Sequence, residues 1–134
     1  MPCLVDSNII LDIVTDDPAW SVWSDQAITL HQSQGLLINP VIYSELCAGA
    51  DSPDEVDVVM RKLKLGYQEI PRKALYLASK AFLSYRRQGG NKTSPLPDFF
   101  IGGNAEALGI PILTRDTARY QTYFPKVTLI CPNT

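Results

Sequence analysis

Four acids stand where a chain of this pattern can gather them. Asp6 directly follows the apolar run Cys3-Leu4-Val5, and Glu45 lies in Tyr43-Ser44-Glu45-Leu46. Asp98 follows Pro95 and Pro97, and Asp116 closes Leu113-Thr114-Arg115-Asp116. Carboxylates a few Å apart repel, and at least one must take up a proton unless a cation sits among them. An all-oxygen set suits Mg²⁺ or Mn²⁺, which keep several waters and accept carboxylate and phosphate oxygens together. One or two such ions polarise a phosphodiester, activate a water and stabilise the leaving oxygen without a covalent nucleophile. Read singly, each acid has an ordinary alternative as a helix cap or a solvated surface group. Asp98, just inside a helix start, fits a cap-like role equally well. Asp6 is hardest to read that way, because it ends a buried strand.

Other chemistries lack their residues. His31 is the sole histidine, sits in the polar stretch His31-Gln32-Ser33-Gln34, and reads as exposed. It has no partner for nucleophilic catalysis by serine or cysteine. Neither G-x-S-x-G nor a P-loop occurs. Cys3, Cys47 and Cys131 are widely spaced, which suits free, mostly buried thiols rather than disulfides or a zinc site. Trp20 and Trp23 read as packing residues, with base stacking as the alternative. The basic segment Arg86-Arg87-Gln88-Gly89-Gly90-Asn91-Lys92 reads either as a solvated helix end or as a phosphate grip. Arg115, beside Asp116, is a candidate to stabilise charge developing on a phosphate.

The elements that must position these acids alternate. Residues 2–6, 36–39, 67–70, 110–113 and 127–130 read as short strands. Helical stretches lie between them. Asn39-Pro40 is an N-cap followed by proline at the first helical position, opening the helix that carries Glu45. Ser52-Pro53-Asp54-Glu55 reads as a capping box ahead of the stripe Val56, Val59, Met60, Leu63. Ala74, Leu75, Ala78, Ala81, Phe82 and Tyr85 form a second stripe. Ile101, Ala105 and Leu108 form a third, ended by Gly109. A further helix is expected over about 18–34. Alternation of this kind implies parallel strands with crossover helices, in which sites form beyond the carboxyl ends of the strands.

Composition sets the bounds. With 134 residues, 46% apolar and 19% charged, the chain suits one globular domain over residues 1–134. No apolar run approaches a membrane span and no signal peptide is apparent, so a cytoplasmic protein is expected. The net charge of −2 does not favour nucleic acid, but setting the four acids aside leaves 10 acidic against 12 basic residues.

The order D-S-N at 6–8, P-V-x-Y-S-E-L at 40–46, L-P-D-F-F-I-G-x-N-A at 96–105 and L-T-R-D at 113–116 resembles the PIN-domain family. Within that family the chain is similar to VapC-type toxins of toxin–antitoxin pairs, over essentially its whole length. The resemblance implies a three-layer α/β/α sandwich around a short, mainly parallel sheet. It implies Mg²⁺-dependent cleavage of RNA (Mn²⁺ substituting), with Asp6, Glu45, Asp98 and Asp116 catalytic. Asp6 and Asp98 are expected to ligate directly, and Glu45 and Asp116 through water. It also implies a homodimer and a cognate antitoxin partner, with Ser7 and Thr114 supporting the acids by hydrogen bonds. Gly102-Gly103 departs from the family, where alanine is common, at a helix-propensity cost of roughly 1 kcal/mol per glycine. Two other functions stay open: a catalytically silent PIN-like module that binds RNA or protein, and an aspartate-dependent phosphoryl-transfer enzyme. The second would need an acid at position 8, where Asn8 stands.

Overall fold

The computed structural model describes residues 1–90 and 96–133. Five short strands, β1 (Cys3–Val5), β2 (Leu36–Ile38), β3 (Leu65–Tyr67), β4 (Ile112–Leu113) and β5 (Leu129–Ile130), form one sheet in the order β3-β2-β1-β4-β5. Every pairing is parallel, with Leu4 opposite both Leu37 and Ile112. Among the described residues seven helices flank it: α1 (Ser7–Val14), α2 (Ser21–His31), α3 (Pro40–Cys47), α4 (Pro53–Leu63), α5 (Arg72–Arg87), α6 (Leu96–Leu108) and α7 (Ala118–Tyr123). The α/β architecture expected from the alternating pattern is therefore present. Leu4, Val5, Ile38, Ile112 and Leu113 are fully buried, as strands covered on both faces require.

Several local expectations need correction. The third strand lies at 65–67, not 67–70, because Lys64 takes a left-handed conformation (φ 58°) that ends α4 and brings Leu65 opposite Leu36 at once. The helix expected over 18–34 starts at Ser21 and gives way to a 3₁₀ turn at Gln32–Gln34. The capping box does not close: the Ser52 side chain makes no capping bond, and Glu55 accepts instead from the Asp51 amide at 2.9 Å. Helices α1 and α7 were not anticipated.

Two expectations match the structure closely. Asn39 caps α3, accepting from the Ile42 amide at 2.9 Å, with Pro40 at the first helical position. Gly109 (φ 66°) ends α6 in the left-handed conformation that glycine adopts without strain. The paired glycines of α6 have a packing reason. A Cβ on Gly103 would stand 2.5 Å from the Ala74 carbonyl oxygen, and one on Gly102 would collide with the Phe124 ring. Their lack of side chains lets α6 pack tightly along α5 and Phe124, which fixes the helix that carries Asp98.

Candidate active site

In a parallel sheet all strands end on one edge. Asp6 follows β1 there, and Thr114 and Asp116 follow β4. Helices α3 and α6 bring their N-termini to the same edge, since α3 leaves β2 and α6 runs back to feed β4. The order places β2 and β3 on one side of β1 and β4 and β5 on the other, so the crevice between β1 and β4 is where the chain reverses its direction of travel across the sheet. All four sequence-predicted acids belong to elements at this edge.

Asp6 is the buried centre of the group, with 4% of its surface exposed. Its Oδ1 accepts from the Ser7 amide at 2.8 Å, so Asp6 also caps α1. Its Oδ2 accepts from the Thr114 hydroxyl and the Tyr120 phenol, each at 2.9 Å. Asn8 reaches the same oxygen at 3.5 Å and bonds Thr114 at 3.2 Å. The Ser7 hydroxyl donates to Glu45 Oε1 at 3.0 Å. Ser7 and Thr114 thus do hydrogen-bond the acids. Asp98 is half-buried in the first turn of α6, and its Oδ2 meets Arg119 Nη1 at 3.2 Å. Asp116 is exposed, and its amide donates to the Thr114 hydroxyl at 3.1 Å.

Electrostatics tie three of the acids together. Burial pushes the Asp6 carboxyl above the usual range against the bonds from Thr114 and Tyr120, and the charge of Asp98 adds to the rise. Burial also raises Glu45, opposed by its bond from Ser7, with Asp6 and Asp98 adding. Burial raises Asp98 despite Arg119, with Asp116 adding to the rise. Tyr120 is held well above its ordinary range by burial and by the surrounding acids, so it remains a hydrogen-bond donor. The acids strain against one another's charge, which is the state a cation relieves.

The donor set fits a hard divalent cation in chemistry: it is all oxygen. Asp6 Oδ1 accepts a single bond, so it retains capacity for another partner. Among the described residues, however, no three acidic, histidine or cysteine side chains stand close enough to enclose an ion.

Other expected residues fall elsewhere. Arg115 does not point its charge at the acids: its guanidinium grips Asp12 through Nε at 2.7 Å and a second nitrogen at 2.8 Å, and stacks over Trp20. That corrects its assignment to the chemistry. Trp23 packs against the core. His31 is half-buried rather than exposed. Arg86 and Arg87 end α5, with Arg86 over the Phe82 ring, whereas Asn91 and Lys92 lie outside the described residues. The cysteines are free, with Cys3 buried and the other two half-buried. The sequence reading missed Tyr120, Arg119 and Asp12. The usable signal was the tail Asp116-Thr117-Ala118-Arg119-Tyr120, which sets a cation and a phenol within four residues of an acid at a strand end.

A fold with acids gathered at this edge agrees with sequence comparison, in which the PIN domain family matches residues 3–125. The chain belongs to the PIN-domain family. Solved structures share its fold across nearly the whole length. The VapBC2 complex from Rickettsia felis bound to a promoter DNA fragment superposes with a TM-score of 0.75 at 14% identity, covering 98% of both chains. DNA-bound VapBC from Salmonella typhimurium gives 0.72 at 17% identity, again over 98% of both. A toxin–antitoxin complex from Klebsiella pneumoniae gives 0.63 at 19% identity, over 94% of this chain and 95% of that one. No curated protein matched by sequence. Among the described residues no helix is long and apolar enough to cross a membrane.

Proposed function

We propose that this PIN domain is a metal-dependent endoribonuclease, the VapC-type toxin of a toxin–antitoxin pair. The observation that carries the reading is the gathering of Asp6, Glu45, Asp98 and Asp116 at one sheet edge, where the charge of Asp98 adds to the raised proton affinity of Asp6 and Glu45, and that of Asp116 to Asp98. Asp6 and Asp98 would hold Mg²⁺ or Mn²⁺ directly, and Glu45 and Asp116 through water. When bound, the ion supplies an activated water and stabilises charge on the phosphate. The chain's own residues do the positioning. Ser7, Thr114 and Tyr120 fix the Asp6 carboxylate without adding positive charge, which keeps its full charge for a ligand. Ser7 also orients Glu45. Hydrolysis by water leaves a 5′-phosphate and a 3′-hydroxyl.

The likeness to VapBC and other toxin–antitoxin complexes supports an antitoxin protein as partner. The exposed Leu75, Tyr76 and Leu83 of α5 supply an apolar face on which a second copy would pack as a homodimer. One observation favours a second reading, a silent binding module: the Asp98 carboxylate already has a cation of the chain's own, Arg119, at 3.2 Å. Labelled RNA incubated with Mg²⁺, Mn²⁺ or EDTA decides between them. Cation-dependent cleavage lost in Asp6→Asn and Asp98→Asn supports the nuclease. Cleavage that survives EDTA, or RNA bound and never cut, overturns it.

A further inference from the structure

Among the described residues, Arg119 is a cation that the fold delivers to the acid cluster. It sits in the first turn of α7, one residue before Tyr120, whose hydroxyl bonds Asp6. Its Nη1 lies 3.2 Å from Asp98 Oδ2, and its guanidinium rests over the Tyr85 ring at 5.6 Å. The contact is a single nitrogen on a single oxygen, with about a third of the Arg119 side chain and a quarter of the Asp98 side chain exposed. Such a pair is weakly bound and easily exchanged. Arg115 shows the contrast within the same segment: it is bidentate on Asp12, which has 3% of its surface exposed, and stacked on Trp20. One arginine is locked, and the other is loosely tethered to a site acid.

We propose that Arg119 is an exchangeable counter-ion of Asp98, which pairs with that carboxylate in the cation-free protein and turns to an RNA phosphate once a divalent cation takes Asp98. The inference rests on the nuclease reading above. Its physical basis is competition. A carboxylate oxygen shared with a guanidinium is less available to a cation, and a guanidinium released there keeps its five donors for phosphate oxygens. The Tyr85 ring offers a surface on which the guanidinium pivots without losing its stacking. Arg119 thereby weakens cation binding in the free protein and strengthens RNA binding in the loaded one. These two effects have opposite signs, which no purely structural clasp between α6 and α7 produces.

The test uses the full chain as parent, Arg119→Ala and Arg119→Lys, with thermal unfolding as the check on folding. Calorimetric titration with MnCl₂, RNA absent, should show Arg119→Ala binding about three- to fivefold tighter than parent, with Arg119→Lys close to parent. Anisotropy of a 5′-fluorescein-labelled 20-residue RNA of mixed sequence should then show Arg119→Ala binding about tenfold more weakly than parent in CaCl₂, and nearly equally in EDTA. Unchanged or weaker Mn²⁺ binding in Arg119→Ala, or an equal loss of RNA affinity with and without the cation, overturns the proposal. A parent that neither binds Mn²⁺ nor cleaves RNA with it overturns the nuclease reading as well. A parent that does both, beside an Arg119→Ala of unaltered Mn²⁺ affinity, overturns the Arg119 proposal alone.

Discussion

Tyr120→Phe removes one atom from the most buried part of the site. The ring is 1% exposed, and the smaller residue keeps its packing. What is lost is the 2.9 Å hydrogen bond to Asp6 Oδ2. A hydrogen bond to a charged group contributes about 1.5–3 kcal/mol. Thr114 still donates to the same oxygen, and Ser7 to the other, so the lower part of that range applies, about 2 kcal/mol. A chain of 134 residues has an unfolding entropy near 0.28 kcal/mol per kelvin, so the melting temperature should drop by about 7 °C. The loss depends on pH. Burial already raises the Asp6 carboxyl, so ionising it weakens the fold as pH rises through its value. The phenol opposes that weakening by bonding the ionised form. The gap between parent and variant should therefore be widest at neutral pH and should narrow in acid, where Asp6 is protonated in both. Circular dichroism melts in EDTA at about pH 7.5 and about pH 4 measure it, and a double-mutant cycle with Asp6→Asn should return a coupling of about 1–2 kcal/mol. Equal melting temperatures at neutral pH, or one gap at both pH values, would refute the assignment of Tyr120 to the Asp6 charge.

Gly103→Ala tests packing against propensity: alanine gains about 1 kcal/mol in a helix, but its Cβ meets the Ala74 carbonyl oxygen at 2.5 Å, and overpacking costs about 1–3 kcal/mol. A melting temperature lowered by several degrees is expected, and a rise would show that α5 and α6 can part freely. Arg115→Ala leaves buried Asp12 without its cation and should cost about 2 kcal/mol, below the range for a fully buried pair because Arg115 is partly exposed. Burial alone would raise the Asp12 carboxyl, but Arg115 and Ser24 hold it below the usual range, so the pair's contribution is present above the ordinary Asp value and is lost as pH falls. Urea unfolding should accordingly show the Arg115→Ala penalty shrinking in acid. Mn²⁺ should raise the parent's melting temperature more at about pH 8 than at about pH 4, because protons compete for the raised carboxyls of Asp6, Glu45 and Asp98. A pH-independent shift would place the ion elsewhere.

The strands and the acid-bearing helices were legible because their signals are local. Asn39-Pro40 and Gly109 announce the ends of α3 and α6, and apolar runs mark β1, β2, β4 and β5. Local signals failed where the backbone took an unadvertised conformation. Lys64 ends α4 in the left-handed region, where glycine is the usual marker, and so shifted β3 by two residues. Helix α1 was hidden because Asp6 reads as a strand-end acid, although the same carboxylate is its N-cap. Arg119 and Asp98 lie 21 residues apart in sequence, with a strand between them, and only the return of α6 and β4 to one edge brings them together. Arg115 misled for the converse reason: adjacency to Asp116 suggested a role that its bond to distant Asp12 takes away.

Asp6 and Asp12 make an instructive internal comparison: both are closed to solvent, but Asp6 lies deep in the protein and Asp12 close to its surface, and their partners differ. Both belong to the start of the chain, one capping α1 and the other inside it, and they are 4% and 3% exposed. Asp12 receives a bidentate guanidinium and the Ser24 hydroxyl, and its carboxyl is held below the usual range. Asp6 receives only neutral donors, and its carboxyl is raised. The deeper of the two is thus the one without a cation of the chain's own, and an uncompensated buried charge costs several kcal/mol. Neutral donors orient a carboxylate and leave its charge in place. On the nuclease reading proposed above, a divalent cation would take up that charge at Asp6, whereas Asp12 is already satisfied by Arg115.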